Sequence, residues 1–368
     1  MFTKDEFLNR VQNDLDAFCD KQSSDFEAIS PDLVTVVDFT RSLLQGGKRF
    51  RALFCYYSWV SSLSGRTPSQ DDLNGIVGIG AALEMFHAAA LVHDDLLDQS
   101  DTRRGAPAIH KRFESMHKDK IWAGSPERFG VAGSVLVGDL MLGWSSEIFG
   151  QALLHTSDKH IEAACRDEFS LMRVEVMAGQ YLDVLEENAA ATRSISEAVG
   201  RAEKVILYKT AKYSIEAPLR LGAAFAGADS ASLGIFTQFG IPLGIAFQLR
   251  DDVLGVYGDP SVTGKPAGDD LREGKRTVLI ALTKEALEIK SPSMNTTLEE
   301  LLTSRELSSD QIAFLQKLIQ DSGALAKTER MIVELGDRAL MTLDAAELDE
   351  HGKAALRQLA LKVVNRDA

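Results

Sequence analysis

Residues Gly75–Asp98 read GIVGIGAALEMFHAAALVHDDLLD: an eighteen-residue apolar stretch, Gly75 to Val92, runs straight into an acidic cluster. The apolar part is long enough to cross a bilayer, but Glu84 and His87 interrupt it and Asp94 and Asp95 end it, and such groups are costly in lipid. It therefore reads as a buried helix, and no stable membrane insertion is expected. On that helix Asp94 and Asp98, at i and i+4, stack on one face about 6 Å apart, while Asp95 turns about 100° away. Like charges at that spacing destabilise a bare helix, so something positive should compensate. Mg²⁺, which takes carboxylate oxygens and keeps positions open for phosphate, suits them. A solvated acidic helix end would carry the same residues, but these acids sit at the mouth of something buried.

Outward from this stretch the chain keeps a helical character. Strong helix formers dominate, and β-branched residues stand singly, not in alternating runs, which predicts an all-α protein. Within Ile161 to Val184, Phe169, Met172, Val176 and Leu182 recur at three, four and six residues, broadly a helical stripe. Breaks are expected near Ser64–Asp72, Ser100–Ala108, Lys118–Arg128, Ala226–Ser232, Gly258–Gly274 and Ser291–Ser309. None is a low-complexity linker, so residues 1–368 read as a single helical domain.

Composition narrows the function classes. Apolar residues at 45% provide a core, and a sum of −14 (40 Lys+Arg against 54 Asp+Glu) opposes nucleic-acid binding. Cys19, Cys55 and Cys165 lie far apart, fitting neither a disulfide framework nor a structural zinc site. The first six residues, MFTKDE, place acids where a secretory leader needs an apolar run. A cytoplasmic location is the expectation.

A second acidic pair, Asp251-Asp252, ends another apolar helical segment 251 − 94 = 157 residues after the first. Two such helices facing their acids across one cavity would bind several metal ions around a polyanion, as activation of a diphosphate requires. Basic groups follow the same logic: Gly46-Gly47-Lys48-Arg49-Phe50-Arg51, Asp101-Thr102-Arg103-Arg104-Gly105, Lys209-Thr210 and Gly264-Lys265 to Lys275-Arg276-Thr277 each join cations to flexible or hydroxyl-bearing residues, as phosphate binding needs. Taken singly, each is equally an ordinary surface charge group. Gly258–Lys265 is no P-loop, since Asp259 stands where the first glycine belongs and Pro266 follows the lysine. Gly75, Gly78 and Gly80 have the wrong spacing for a dinucleotide fingerprint.

In chain order the motifs GGKRFR (46–51), HDDLLD (93–98), DTRRG (101–105), GQYLD (179–183), KT (209–210), FQLRDD (247–252) and GKPAGDD (264–270) resemble those of the trans-isoprenyl diphosphate synthases, the polyprenyl synthetase family. The likeness is strongest to geranylgeranyl diphosphate synthases of the actinobacterial kind. It implies one large helical bundle of the isoprenoid synthase type with a central active-site cavity, a homodimer, and three Mg²⁺ per site. Asp94, Asp95 and Asp98 would hold Mg²⁺ against the allylic diphosphate, and Asp251 and Asp252 a further ion. The third aspartate usual in the second motif is here Gly255, with Asp270 and Asp183 nearby as supports. Arg103, Lys209 and Lys265 would contact the allylic diphosphate, and Lys48, Arg51, His87 and Arg104 the isopentenyl diphosphate. His87 also fits a satisfied core histidine.

The implied reaction is a Mg²⁺-dependent head-to-tail condensation of isopentenyl diphosphate with dimethylallyl, geranyl or farnesyl diphosphate. Ionisation of the allylic carbon–oxygen bond would be stabilised electrostatically, with Thr210 and Gln248 flanking the cation by their oxygen dipoles. Ala89 and Ala90, five and four residues before Asp94, occupy positions where fifteen-carbon synthases of the family commonly carry an aromatic side chain. Phe86, about one helical turn deeper, would then stop a twenty-carbon tail, since a turn rises about 5.4 Å. If Phe86 instead packs away from the tail, longer products follow. A terpene cyclase would turn over one allylic substrate without isopentenyl diphosphate, and an inactive partner subunit would show no Mg²⁺-dependent turnover alone.

Overall fold

The computed structural model of the chain describes residues 1–258, 268–304 and 306–364, and divides into two compact units. The first comprises Met1–Cys165 and Leu221–Gly227. Its helices are α1 (Lys4–Ile29), α2 (Val34–Leu43), α3 (Phe50–Ser61), α4 (Gln70–Leu97), α5 (Ile109–Asp119) and α6 (Pro126–Ala152), followed by the opening turns of α7 (Lys159–Ala189). The starts of α1 and α4 are fixed by reciprocal capping boxes, Thr3 with Glu6 and Ser69 with Asp72, which satisfy otherwise orphaned backbone donors.

Helix α4 carries the expected apolar run, and 78% of its most apolar window is buried. Helices of similar length and hydropathy, Pro126–His155 and Ser230–Tyr257, are each 39% buried over that window. Small residues bring α4 and α6 into backbone-range contact. A Cβ on Gly78 would lie 2.7 Å from Ala152 Cβ, and one on Gly138 would lie 2.1 Å from His93 Nε2. Ser145 Oγ donates across the same seam to the Ala82 carbonyl at 2.7 Å.

After α4 the chain departs from purely helical expectation in a small hairpin, β1 (Thr102–Arg103) paired antiparallel with β2 (Ala106–Pro107). Its two-residue turn, Arg104-Gly105, has φ of 53° and 75°, the paired positive values that match strand twist in a tight hairpin. Apolar periodicity carries no signal for so short a pair.

The second unit comprises Arg166–Arg220 and Ala228–Ala368. It contains most of α7, then α8 (Ala198–Val205), a π-helical segment Ile206–Glu216, the start of α9 (Ala217–Phe225), and α10 (Ser230–Tyr257). There follow α11 (Asp269–Arg272), α12 (Val278–Lys290), α13 (Pro292–Thr303), α14 (Ser309–Ser322), α15 (Ala324–Ala345) and α16 (Glu350–Val364). Gly244 lets α10 approach the π-helical segment, since a Cβ there would sit 2.5 Å from Ala211 Cα. On its other face α10 meets α15 and α14: Arg250 makes a two-pronged ion pair with Glu329 at 2.7 and 2.8 Å, and Tyr257 Oη donates to the Gln316 carbonyl at 2.7 Å. The motif-free C-terminal stretch thus packs on α10 as a cover.

Two expectations need correction. The break expected over Ser291–Ser309 is mostly helix: Pro292 occupies the first position of α13, where its missing N–H costs nothing. The π-helical segment was not foreseen, because an i→i+5 ladder leaves no periodicity distinct from an ordinary helix over so few residues.

Candidate active site

In the first unit the acids end α4 as expected. Asp95 is buried, while Asp94 and Asp98 on the adjacent face are half-buried. The β-hairpin delivers Arg103 onto them: Nε donates to Asp95 Oδ1 at 2.7 Å, Nη2 reaches the same oxygen, and Nη2 stands 3.6 Å from Asp94 Oδ2. Burial draws the Arg103 guanidinium down, but its hydrogen bonds to Asp95 and the charges of Asp95, Asp94 and Asp98 more than offset this and hold it above its ordinary range. Arg103 is thereby the positive partner that the like-charged turn requires.

Arg104 takes the opposite course. It is exposed, and its Nη1 donates to the Gln45 carbonyl at 3.2 Å and the Leu43 carbonyl at 3.4 Å, tying the hairpin to the glycine-rich loop. That approach depends on Gly47, where a Cβ would lie 3.1 Å from Arg104 Nη2 and where φ is +83°. Arg104, His87, Glu84 and Arg49 line one cleft with Leu44 and Gly46. Arg49 is a participant that sequence reasoning passed over. It is buried, donates to Gln12 Oε1 and to the Leu44 carbonyl, and lies 3.7 Å from Glu84 Oε2, so it anchors the loop that presents exposed Lys48. His87 is half-buried two turns before Asp94. Burial first, then the charges of Arg51, Arg104 and Arg103, hold its imidazole well below the ordinary histidine range, so it stands neutral among cations.

In the second unit the GQYLD, KT and FQLRDD motifs come together. Gly179 of α7 lies against the π-helical segment so closely that a Cβ would be 2.3 Å from the Lys209 backbone nitrogen. One turn later Asp183 Oδ2 accepts from Lys209 Nζ at 2.5 Å. The neighbouring Thr210 hydroxyl donates to Gln248 Oε1 at 2.7 Å, and Gln248 Nε2 donates to Asp252 Oδ1 at 2.8 Å. The other carboxylate oxygen of Asp252 is buried and has no hydrogen-bond partner among the described residues. Burial chiefly, with the charges of Asp270 and Asp251, pushes the Asp252 carboxyl well above its usual range. The family resemblance implied that Thr210 and Gln248 flank the cation as oxygen dipoles; here the two are joined in a hydrogen-bonded relay that orients an acid.

The fourth basic group divides. Lys265 lies outside the described residues. Lys275 Nζ stands 3.8 Å from Asp270 Oδ1, whereas Arg276 turns away to Glu299 at 2.8 Å and Thr277 caps α12 through the Ile280 N–H. Arg276 and Thr277 are therefore structural.

Among the described residues no three His, Cys, Asp or Glu side chains form a ready-made metal cage. That suits Mg²⁺, which is bound by one or two carboxylates and completed by substrate phosphate and water. The donors are hard oxygens, and the orphaned Asp252 Oδ2 is a buried acceptor that a cation would satisfy. The residues present fit the ion.

The polyprenyl synthetase family profile matches residues 35–319, and the chain belongs to that family. It is a prenyltransferase, a trans-prenyl diphosphate synthase of all-α isoprenoid synthase fold. It is similar to a geranylgeranyl pyrophosphate synthase from Corynebacterium glutamicum whose crystal structure holds isoprenyl diphosphate and magnesium, with 38% identity, TM-score 0.92 and complete coverage of both chains. It also resembles the geranylfarnesyl diphosphate synthase of Aeropyrum pernix, 29% identical over 93% of this chain and 97% of the relative. A third relative is the (2E,6E)-farnesyl diphosphate synthase of Mycobacterium bovis, 30% identical over 78% of this chain and 72% of the relative. These names span several product lengths.

Proposed function

We propose that the chain is a geranylgeranyl diphosphate synthase, condensing isopentenyl diphosphate with allylic diphosphates to a twenty-carbon product and releasing pyrophosphate. The observation that carries the reading is the Thr210–Gln248–Asp252 relay beside the Lys209–Asp183 pair, which orients a buried carboxylate with one unsatisfied oxygen. Residues 1–368 act as one functional domain, cytoplasmic and homodimeric, with no membrane insertion and no nucleic acid among its partners.

Asp94, Asp95 and Asp98, and separately Asp251 and Asp252, hold the magnesium ions, three per site. When bound, these ions neutralise the diphosphate charge that grows as the allylic carbon–oxygen bond breaks. Arg103 and Lys209, with Lys265, bind the allylic diphosphate; Arg103 and Lys209 then exchange their aspartate partners for phosphate oxygens, so positive charge is already in place when the leaving group develops. Lys48, Arg51, His87 and Arg104 bind isopentenyl diphosphate. His87, neutral at pH 7, donates one hydrogen bond and adds no repulsion to the three arginines around it. The isopentenyl double bond attacks the allylic carbon, a new carbon–carbon bond forms, and the departing pyrophosphate takes the proton. Holding the two substrates side by side converts an encounter into an oriented reaction.

Product length is set along α4. Ala89 is buried and Ala90 half-buried, and as alanines neither puts an aromatic ring of its own immediately below the acids. Phe86, 1% exposed, provides the floor that limits the tail. Incubation of purified protein with Mg²⁺, isopentenyl diphosphate and each of the five-, ten- and fifteen-carbon allylic diphosphates, followed by sizing of the dephosphorylated products, tests this. A dominant twenty-carbon alcohol is expected. Other lengths keep the synthase and refute the floor, and no condensation with any primer refutes the enzyme.

A further inference from the structure

A cleft in the second unit is lined by none of the residues assigned above to substrate or metal. Four of its side chains are cations: Arg193 after α7, Arg201 on α8, Arg276 just ahead of α12 and Lys284 on α12, with alanines and isoleucines making up most of the remaining lining. Only two carboxylates answer them closely. Glu186 of α7, 6% exposed, accepts from Arg193 Nη1 and, at 2.9 Å, from Arg201 Nε. Glu299 of α13 accepts from Lys284 Nζ at 2.7 Å and from Arg276 Nη1 at 3.1 Å. A further acid, Glu197, stands 3.6 Å from Arg201 Nη1, but its side chain is 75% exposed and solvent screens the pair. Each inner carboxylate is thus shared by two cations, which leaves a local surplus of two positive charges in a chain whose sum is −14.

That surplus is partly buried: the Arg276 side chain is 6% exposed and Lys284 is 9% exposed. The Arg276 Nε is also buried, with no hydrogen-bond partner among the described residues. Buried charge without a matching counter-charge and a buried donor without an acceptor are both unfavourable. One bound anion relieves both. A phosphate-type oxyanion suits the task, because its several oxygens accept from planar guanidinium forks and from an ammonium together. We propose that this cleft is a second oxyanion site, taking a phosphate or diphosphate group between the arginines that share Glu186 and the Arg276–Lys284 pair that shares Glu299. It needs no metal ion, since cations and not carboxylates are in excess. The group arrives either as free anion, released pyrophosphate included, or as the head of an isoprenoid diphosphate. No step of the catalytic reading is required for it.

The test is calorimetric titration of the full-length protein with inorganic pyrophosphate in EDTA, which removes metal-dependent binding, with circular dichroism as the check on folding. The substitutions leave each carboxylate one cation: Arg193→Gln leaves Glu186 with Arg201, and Lys284→Gln leaves Glu299 with Arg276. Each should weaken pyrophosphate binding at least about tenfold, the scale of one hydrogen bond to a charged group, and the two together should abolish it. Lys209→Gln, in the catalytic cluster, should keep this binding. Binding lost in Lys209→Gln but retained in the folded Arg193→Gln/Lys284→Gln variant would assign the anion to the catalytic cations and overturn the proposal. No metal-free binding by the parent would overturn it as well, since Glu186 and Glu299 would then suffice for all four cations. Geranyl diphosphate as a second titrant separates the sources: equal affinity supports a free-anion site, and tighter binding supports an isoprenoid head with its tail against the apolar lining.

Discussion

Replacing Gly179 by alanine adds one methyl group to a helix interior, a change that ordinarily stabilises by about 0.5–1 kcal/mol because glycine is the poorer helix former. Here the opposite sign is expected. The new Cβ would sit 2.3 Å from the Lys209 nitrogen, 2.5 Å from the Tyr208 carbonyl carbon and 2.7 Å from Lys209 Cα. All three are backbone atoms, so no side-chain rotation relieves the overlap and α7 must separate from the π-helical segment. Overpacking of this kind costs about 1–3 kcal/mol, which outweighs the propensity gain and leaves a net loss of about 0–2.5 kcal/mol. The same displacement moves Lys209 from Asp183 and Thr210 from Gln248, contacts of 2.5 and 2.7 Å that cannot survive a comparable shift unaltered. A misplacement of about 1 Å costs on the order of 100-fold in rate. Urea denaturation would give the stability change, and kcat/KM for the allylic substrate the functional one, with Gly200→Ala as control because a Cβ there meets nothing within 4 Å. A Gly179→Ala protein at least as stable as the parent with undiminished kcat/KM would refute the reasoning that the GQYLD motif exists to seat Lys209.

Further outcomes follow from the same contacts. Phe86→Ala should shift the product distribution to longer chains and, as the removal of a side chain 1% exposed, lower stability by about 3–5 kcal/mol; an unchanged product profile in the folded variant would sink the floor, with Phe86→Leu as the milder probe. Asp95→Asn takes from Arg103 its nearest charge partner while Asp94 stays 3.6 Å away and should destabilise by about 1.5–3 kcal/mol, seen as a lowered Tm, whereas Asp98→Asn, at a half-buried helix end, should cost far less. His87 gives a pH signature. Its folded pKa lies well below 6.5, so the unfolded chain binds more protons in that window. Stability should then be full above pH 6.5 and decline as pH falls towards the folded value. His87→Gln should flatten that slope in denaturation midpoints measured from pH 7.5 downward, and an unchanged slope would assign the acid sensitivity elsewhere.

How much of this was open to reading from the letters depends on whether a residue's role is local or relational. Asp94, Asp95 and Asp98 were legible because helix spacing alone puts two acids on one face and one on another, and the burial difference between Asp95 and Asp94 follows that geometry. Lys209-Thr210 was legible as a cation beside a hydroxyl, but not as part of a π-helical segment that aims the two at different partners, Asp183 and Gln248. Arg49 and Arg276 were misjudged for one reason: within a basic cluster, sequence cannot say which member meets a buried carboxylate. Arg49 is claimed by Glu84 and Gln12 and Arg276 by Glu299, and both acids lie in segments that carry no basic motif. The glycines show the same limit most sharply. Gly47, Gly138 and Gly179 look alike in the sequence, yet at the place of the missing Cβ the first two face the movable ends of Arg104 and His93, whereas Gly179 faces the Lys209 backbone, which cannot rotate away.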